Sequence, residues 1–350
     1  MGSSAKNYGQ TGIGKPRHRR KGNQPTRSGA LVRLPMHLYR ARYPETALKE
    51  QGPCTMRLSR TRPFVRFVEP ARTRPAVWRL IFGLFIVALV QSLCLLAVFG
   101  GLAYFSGPDN AGLWVAKLAV ASTPASAIGV LATFIPLLGG VWLALRVMHK
   151  RSLRSAMGAR PWAGALRGAT VTSAVFAPFL ILEMAFSGSV SNLPLGLWSK
   201  LLALTVLGVA VQTLAEEALF RGYALQQLAA RFRSPLIWGG LPALAFGVLH
   251  YDTTRMGDAA PVAVALAALF GVLAADLTAR SGGLGLAWGM HFSNNMFGLA
   301  LLGTPGSITG LALRVTPHDA ADIAQNPFLG LAWAIPLLIA WAFLRRGLRG

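Results

Sequence analysis

Acidic residues are scarce in this chain. Twelve Asp and Glu stand against 35 Lys and Arg in 350 residues, and charged residues of both signs make up only 13%. A soluble domain carries about 25%. Half that density leaves too little polar surface to meet water on every side, so an ordinary soluble enzyme is excluded. Cysteine is nearly absent too. Cys54 and Cys94 are the only two, too few for a disulfide framework or a four-thiolate zinc site. There is no His-Glu-x-x-His, the strongest helical zinc signature, and no Gly-x-Ser-x-Gly nucleophile elbow. Tyr251-Asp252 and Gly257-Asp258 lie six apart in one polar stretch and do not make a facing aspartyl pair. The N-terminus is no secretory signal, because its basic stretch is too long and its first apolar block exceeds an h-region.

The net charge of +23 raises the question of nucleic acid, and its distribution answers it. Residues 1–75 hold 17 of the 35 basic residues and three acids, Glu45, Glu50 and Glu69. Most other basic residues flank apolar blocks, which is how cytoplasmic loops orient a membrane protein. No nucleic-acid partner is expected. Residues 1–75, rich in Gly, Ser, Pro and Arg without periodicity, read as a disordered basic cytoplasmic tail. Residues 76–350 read as the membrane domain.

Half the chain is hydrophobic (53%), and after Pro75 the apolar residues come in blocks of about twenty, enough for a helix to cross ~30 Å of hydrocarbon. The blocks lack the alternation of barrel strands, so the fold class is all-α, a polytopic transmembrane helix bundle. Eight spans are expected, near 78–105, 121–147, 166–187, 200–220, 235–251, 260–279, 283–303 and 328–344. The basic segments 146–167, 221–233 and the C-terminus then share one side with the tail. Both termini are expected in the cytoplasm of a bacterial cell, in its inner membrane.

Few acids lie in or beside the apolar blocks: Glu183, Glu216, Glu217 and Asp276. An ionisable group in the bilayer costs ~2.5–3.5 kcal/mol or more, so it faces a cavity or a partner. Glu217 and Arg221, four apart, are placed to pair on one helical face. Glu216 points about 100° away and stays available. Downstream, Phe246 and His250 share a helical face, as do His291 and Asn295.

Three motifs thus follow in order on three apolar segments: Glu-Glu-x-x-x-Arg at 216–221, Phe-x-x-x-His at 246–250 and His-x-x-x-Asn at 291–295. Together they resemble the CPBP family, the CAAX-prenyl-endopeptidase and bacteriocin-processing (abortive-infection) intramembrane proteases, over about residues 150–303. The resemblance implies a helical membrane fold with a site in a cavity among these helices, hydrolysing a peptide bond of a peptide or membrane-protein substrate. It matches Glu216 to the water-activating glutamate, Glu217 and Arg221 to the rest of the first motif, and His250, His291 and Asn295 to the remaining polar positions. Amide hydrolysis needs an activated water and a stabilised oxyanion. His250 could orient the water, and His291 and Asn295 could donate to the oxyanion. Zinc bound by Glu and His is the rival account, with metal-free activation favoured. Other classes are a non-catalytic membrane scaffold or immunity protein, and a proton-coupled transporter using the glutamates as a relay. One expectation conflicts with another: these span limits put Glu216 and His250 at opposite ends of their helices. Either the fourth helix runs past Arg221, or the fifth is tilted or broken near Pro242.

Overall fold

The computed structural model describes residues 61–348. The expected tail lies outside the described residues up to residue 60. Its last part is not structureless. Arg62–Val68 forms helix α1, with Pro63 opening it and Phe64, Phe67 and Val68 on one buried stripe. Phe64 packs on Trp238 at 4.6 Å between ring centroids. The i, i+3, i+4 spacing of these apolar residues supplies the face to bury that was missed among the surrounding arginines.

The architecture is an all-α bundle. Beyond α1 the helices are α2 (Val77–Ser106), α3 (Pro108–Val120), α4 (Pro124–His149), α5 (Leu153–Met157), α6 (Pro161–Phe186), α7 (Leu195–Arg231), α8 (Leu236–Val248), α9 (Thr253–Ser281), α10 (Gly285–Met296), α11 (Ala320–Gln325) and α12 (Pro327–Arg346). Six of these, α2, α4, α6, α7, α9 and α12, are long and apolar enough to cross a membrane. Large apolar side chains stand exposed along them, such as Phe82, Phe85 and Leu96 on α2. In water such a surface is a liability. In lipid it is the expected outer face.

Two of the eight expected spans are short. Helix α8 reaches roughly 20 Å at 1.5 Å per residue, less than the hydrocarbon thickness. Helix α10 ends at Met296 and passes into a wide π-helical turn, Phe297–Leu301. Irregular or short helices at membrane depth are tolerated where protein covers them; α10 is covered, and α8 buries one face, with Trp238 and Phe246, while Leu241, Leu244 and Val248 stay exposed on the other. Helix α8 packs on α9, and α10 packs along α6 more extensively than any other pair of helices meet.

Glycines allow that α6–α10 approach. A Cβ at Gly164 would stand 2.9 Å from Gly285 Cα, one at Gly168 would stand 2.5 Å from Leu286 O, and one at Gly289 would collide with Ala165 O. Gly164 and Gly168, four apart, face Gly285 and Gly289, four apart, the small-residue spacing that brings membrane helices together. Ser173 and Ser293 hydroxyls then meet across the pair at 2.9 Å.

Helix ends gather at two poles. At the basic pole, Arg79 on α2 donates to Met148 O at the end of α4, and Arg167 on α6 donates to Gly347 O. There too, Asp276 near the end of α9 accepts from Arg280 at 2.8 Å and from Trp341 of α12 at 3.1 Å, so this acid is spent pinning two helices. At the opposite pole Arg255 donates to Leu118 O and Ala119 O. A small sheet lies there, with Arg314–Val315 antiparallel to Val190–Ser191 and parallel to Leu302–Gly303.

Candidate active site

Helix α7 is the spine of the site. It does not stop at residue 220, as the span limits required, but runs to Arg231 through a π-helical stretch, Ala218–Leu225, directly after the glutamates. A π stretch inside an α-helix often marks a functional site. The continuation past Arg221 is buried beneath α1 and α5, where Gln226 donates to Phe67 O and Ser155 O. The conflict over depth is thereby resolved on the α7 side, and the shortness of α8 brings His250 into range from the other.

The two glutamates are held differently. Glu217 is 0% exposed and Arg221 1%. Arg221 Nη1 donates to Glu217 Oε1 at 2.9 Å. Three aromatic rings enclose the guanidinium, with Phe246, Phe270 and Phe220 centroids at 4.8, 5.3 and 5.9 Å. A cation over ring faces in a desolvated place is stabilised by the ring quadrupoles, and its counter-charge is Glu217. Glu216 has no arginine or lysine beside it and is 8% exposed. Gln212, one turn earlier, donates Nε2–H to Glu216 Oε2 at 2.7 Å.

Helix α10 brings His291 between the carboxylates. Its Nδ1 donates to Glu217 Oε1 at 2.9 Å, and its Nε2 lies 3.4 Å from Glu216 Oε2. Two ties fix the register of α10 on α7 around that contact. Trp288 Nε1 donates to Thr213 Oγ1 at 3.2 Å on one side. Asn295 Nδ2 donates to Gln212 Oε1 at 2.9 Å on the other. Thus Asn295, Gln212, Glu216, His291, Glu217 and Arg221 form one continuous polar string.

His250 stands apart from the string. Its Nδ1 donates to Phe246 O at 2.7 Å at the exposed end of α8, which leaves Nε2 as the free acceptor in the neutral ring. Phe246 is the link, with its ring 4.6 Å from His250 and 5.9 Å from His291. Five of the six expected residues therefore fall in two hydrogen-bonded sets, Asn295–Gln212–Glu216 and His291–Glu217–Arg221, that meet where His291 Nε2 lies 3.4 Å from Glu216, and the sixth flanks them across an aromatic ring. Gln212 was missed. Its signal was a lone amide in an apolar helix one turn before a glutamate. Glu183 lies elsewhere, lining a separate cavity of about 340 Å³ with His318 and Trp333.

A divalent metal does not fit this donor set. Both His291 nitrogens already address carboxylates, and Glu217 Oε1 carries a guanidinium at 2.9 Å. Among the described residues, no group of three or more His, Cys, Asp and Glu side chains could hold a metal ion.

Comparison with known proteins agrees with the motifs. The chain is 31% identical over 183 residues to an uncharacterized protein, YyaK, of Bacillus subtilis (strain 168), a match covering 49% of this chain and 59% of the relative. No solved structure matches. Residues 198–297, which contain all six motif positions, match the family of type II CAAX prenyl endopeptidase Rce1-like proteins, so the resemblance to CPBP intramembrane proteases stands over that segment of this polytopic membrane protein.

Proposed function

We propose that this protein is an intramembrane endopeptidase in which Glu216 activates the water that attacks a peptide carbonyl. The observation that carries the reading is the unequal treatment of two adjacent carboxylates. Glu217 is sealed and neutralised by Arg221, whereas Glu216 keeps 8% exposure and meets only the Gln212 amide and the His291 ring, with no arginine or lysine against it. A carboxylate that no permanent cation holds has an oxygen left to take a proton from water.

The steps balance with these residues alone. Glu216 takes a proton from water as its oxygen bonds to the carbonyl carbon, and the carbonyl oxygen becomes an oxyanion. His291 and Asn295 lie within the same polar string and carry N–H groups that can turn to the oxyanion as substrate displaces their resting partners. The proton on Glu216 then passes to the departing amine as the C–N bond breaks. His250, with Nε2 free, orients the water. The family match supports a CAAX-type protease activity. The peptide or membrane-protein substrate, a bacterial inner membrane and cytoplasmic termini belong to this proposal. The basic 1–75 segment, ordered from Arg62, is proposed to lie on the cytoplasmic side.

Glu216→Gln tests it. The amide keeps shape but cannot accept the proton, so purified variant protein should cleave a peptide library at least about a hundredfold more slowly, with an unchanged unfolding temperature. A chelator should leave the parent rate untouched. Full activity in Glu216→Gln would remove the assignment.

A further inference from the structure

The basic pole contains a cavity that the proposed hydrolysis does not use. Its volume is about 440 Å³, and its walls carry Arg62 and Arg66 of α1 and Arg154 of α5. Among the described residues, no acidic side chain lines it. Glu69, the nearest acid along α1, turns to Arg72 at 3.9 Å. All three lining arginines are exposed and make no hydrogen bond or ion pair to the described residues. Three exposed guanidiniums around one hollow repel one another only weakly through water, and together they offer an anion a convergent set of donors.

A second observation points the same way. Arg151 lies behind the cavity wall, 7% exposed. Its Nη2 donates to Gln226 Oε1 at 2.8 Å, while Nε and Nη1 have no partner among the described residues. Gln226 in turn donates to the carbonyls of Phe67 and Ser155, both wall residues. Burial pulls the Arg151 guanidinium down to about 10, since no carboxylate offsets its desolvation. A buried cation without a counter-charge is costly, and an anion in the adjoining cavity lowers that cost.

Position selects the anion. Gly158 and Ala159, in the wall, immediately precede α6, and Ser281 and Gly282 close α9. Both helices are membrane spans by length and hydropathy, so the cavity lies at the level of the headgroups. Guanidinium forks match phosphate oxygens two at a time, and basic pockets at this level bind phosphorylated headgroups. We infer that the Arg62–Arg66–Arg154 cavity is a binding site for the phosphate of an anionic phospholipid headgroup, which clamps α1 and α5 onto the ends of α6 and α9.

The test uses the full chain in detergent, titrated with dioctanoyl phosphatidylglycerol, dioctanoyl phosphatidylcholine and inorganic phosphate. Binding is read by native mass spectrometry and by the unfolding temperature. Phosphatidylglycerol should bind and raise the unfolding temperature. Phosphatidylcholine, whose choline offsets its phosphate, should bind about tenfold more weakly or worse. Each basic group at such a surface is worth roughly fivefold in affinity, so Arg62→Gln, Arg66→Gln and Arg154→Gln together should weaken phosphatidylglycerol roughly a hundredfold. The three sites are exposed, so the lipid-free unfolding temperature should match the parent. Should the triple variant not fold, Arg66→Gln alone should cost about fivefold. Unchanged phosphatidylglycerol affinity in these variants would overturn the inference. So would inorganic phosphate displacing the lipid at equal concentration, which would make the ligand a soluble anion.

Discussion

Glu216 and Glu217 are neighbours in sequence and opposites in environment, and the difference arises from what each meets across the bundle. Glu217 faces Arg221 one turn on and His291 from α10, and nothing of it reaches the surface. Its charge is needed to hold Arg221 in an aromatic enclosure. Glu217→Gln should therefore cost folding stability, ~3–5 kcal/mol, as the loss of one member of a buried ion pair generally does. Thermal unfolding of the purified variant checks this, and an unfolding temperature equal to that of the parent would contradict it. The contrast with Glu216→Gln separates a structural carboxylate from a reactive one. This pairing was legible in the sequence because i, i+4 spacing on a helix fixes neighbours whatever the tertiary fold. The tie from Gln212 to Asn295 was not legible, because it crosses from α7 to α10, and helical spacing says nothing about which helices meet.

At the scale of elements, the site depends on how closely α6 and α10 approach. Gly289→Leu would drive a side chain into the backbone of α6 at Ala165. Overpacking of this kind costs ~1–3 kcal/mol or more, and here it would also displace His291, half a turn further along α10. The variant should lose both thermal stability and cleavage. Gly100 on α2 is the control. A Cβ there meets nothing within 4 Å, so Gly100→Ala should stabilise by ~0.5–1 kcal/mol through helix propensity alone. Equal effects at the two positions would rule out the close approach. Hydropathy located α10 but overestimated its length, because a covered π turn and a lipid-facing helix are equally apolar. It also ended α7 too early. Arg221 looked like an interfacial residue, yet it is buried against Glu217 and three rings, and the helix continues beyond it.

For the whole molecule, the bilayer imposes the constraint that made the fold class readable: every backbone group must be satisfied internally, so long apolar blocks become helices. What the blocks do not encode is which of them cross fully. Six are long enough, while α10 is short and sheltered by its neighbours and α8 is short with one face packed on α9. Sidedness follows from charge and from which loops meet. The residues before α6 lie at the basic pole, where Ala159 N donates to Gly282 O. Asn192 N donates to Leu313 O at the other pole, where Gly310 N donates to Ala121 O and Arg255 donates to Leu118 O and Ala119 O. Reporter fusions after Arg160 and after Asn192 should therefore read opposite sides of the membrane, with Arg160 cytoplasmic. A third reporter, inserted after Gly257, should agree with Asn192 despite the shortness of α8, because its loop joins the same pole. If Arg160 and Asn192 read the same side, α6 does not cross, and the two poles are not the two faces of the membrane.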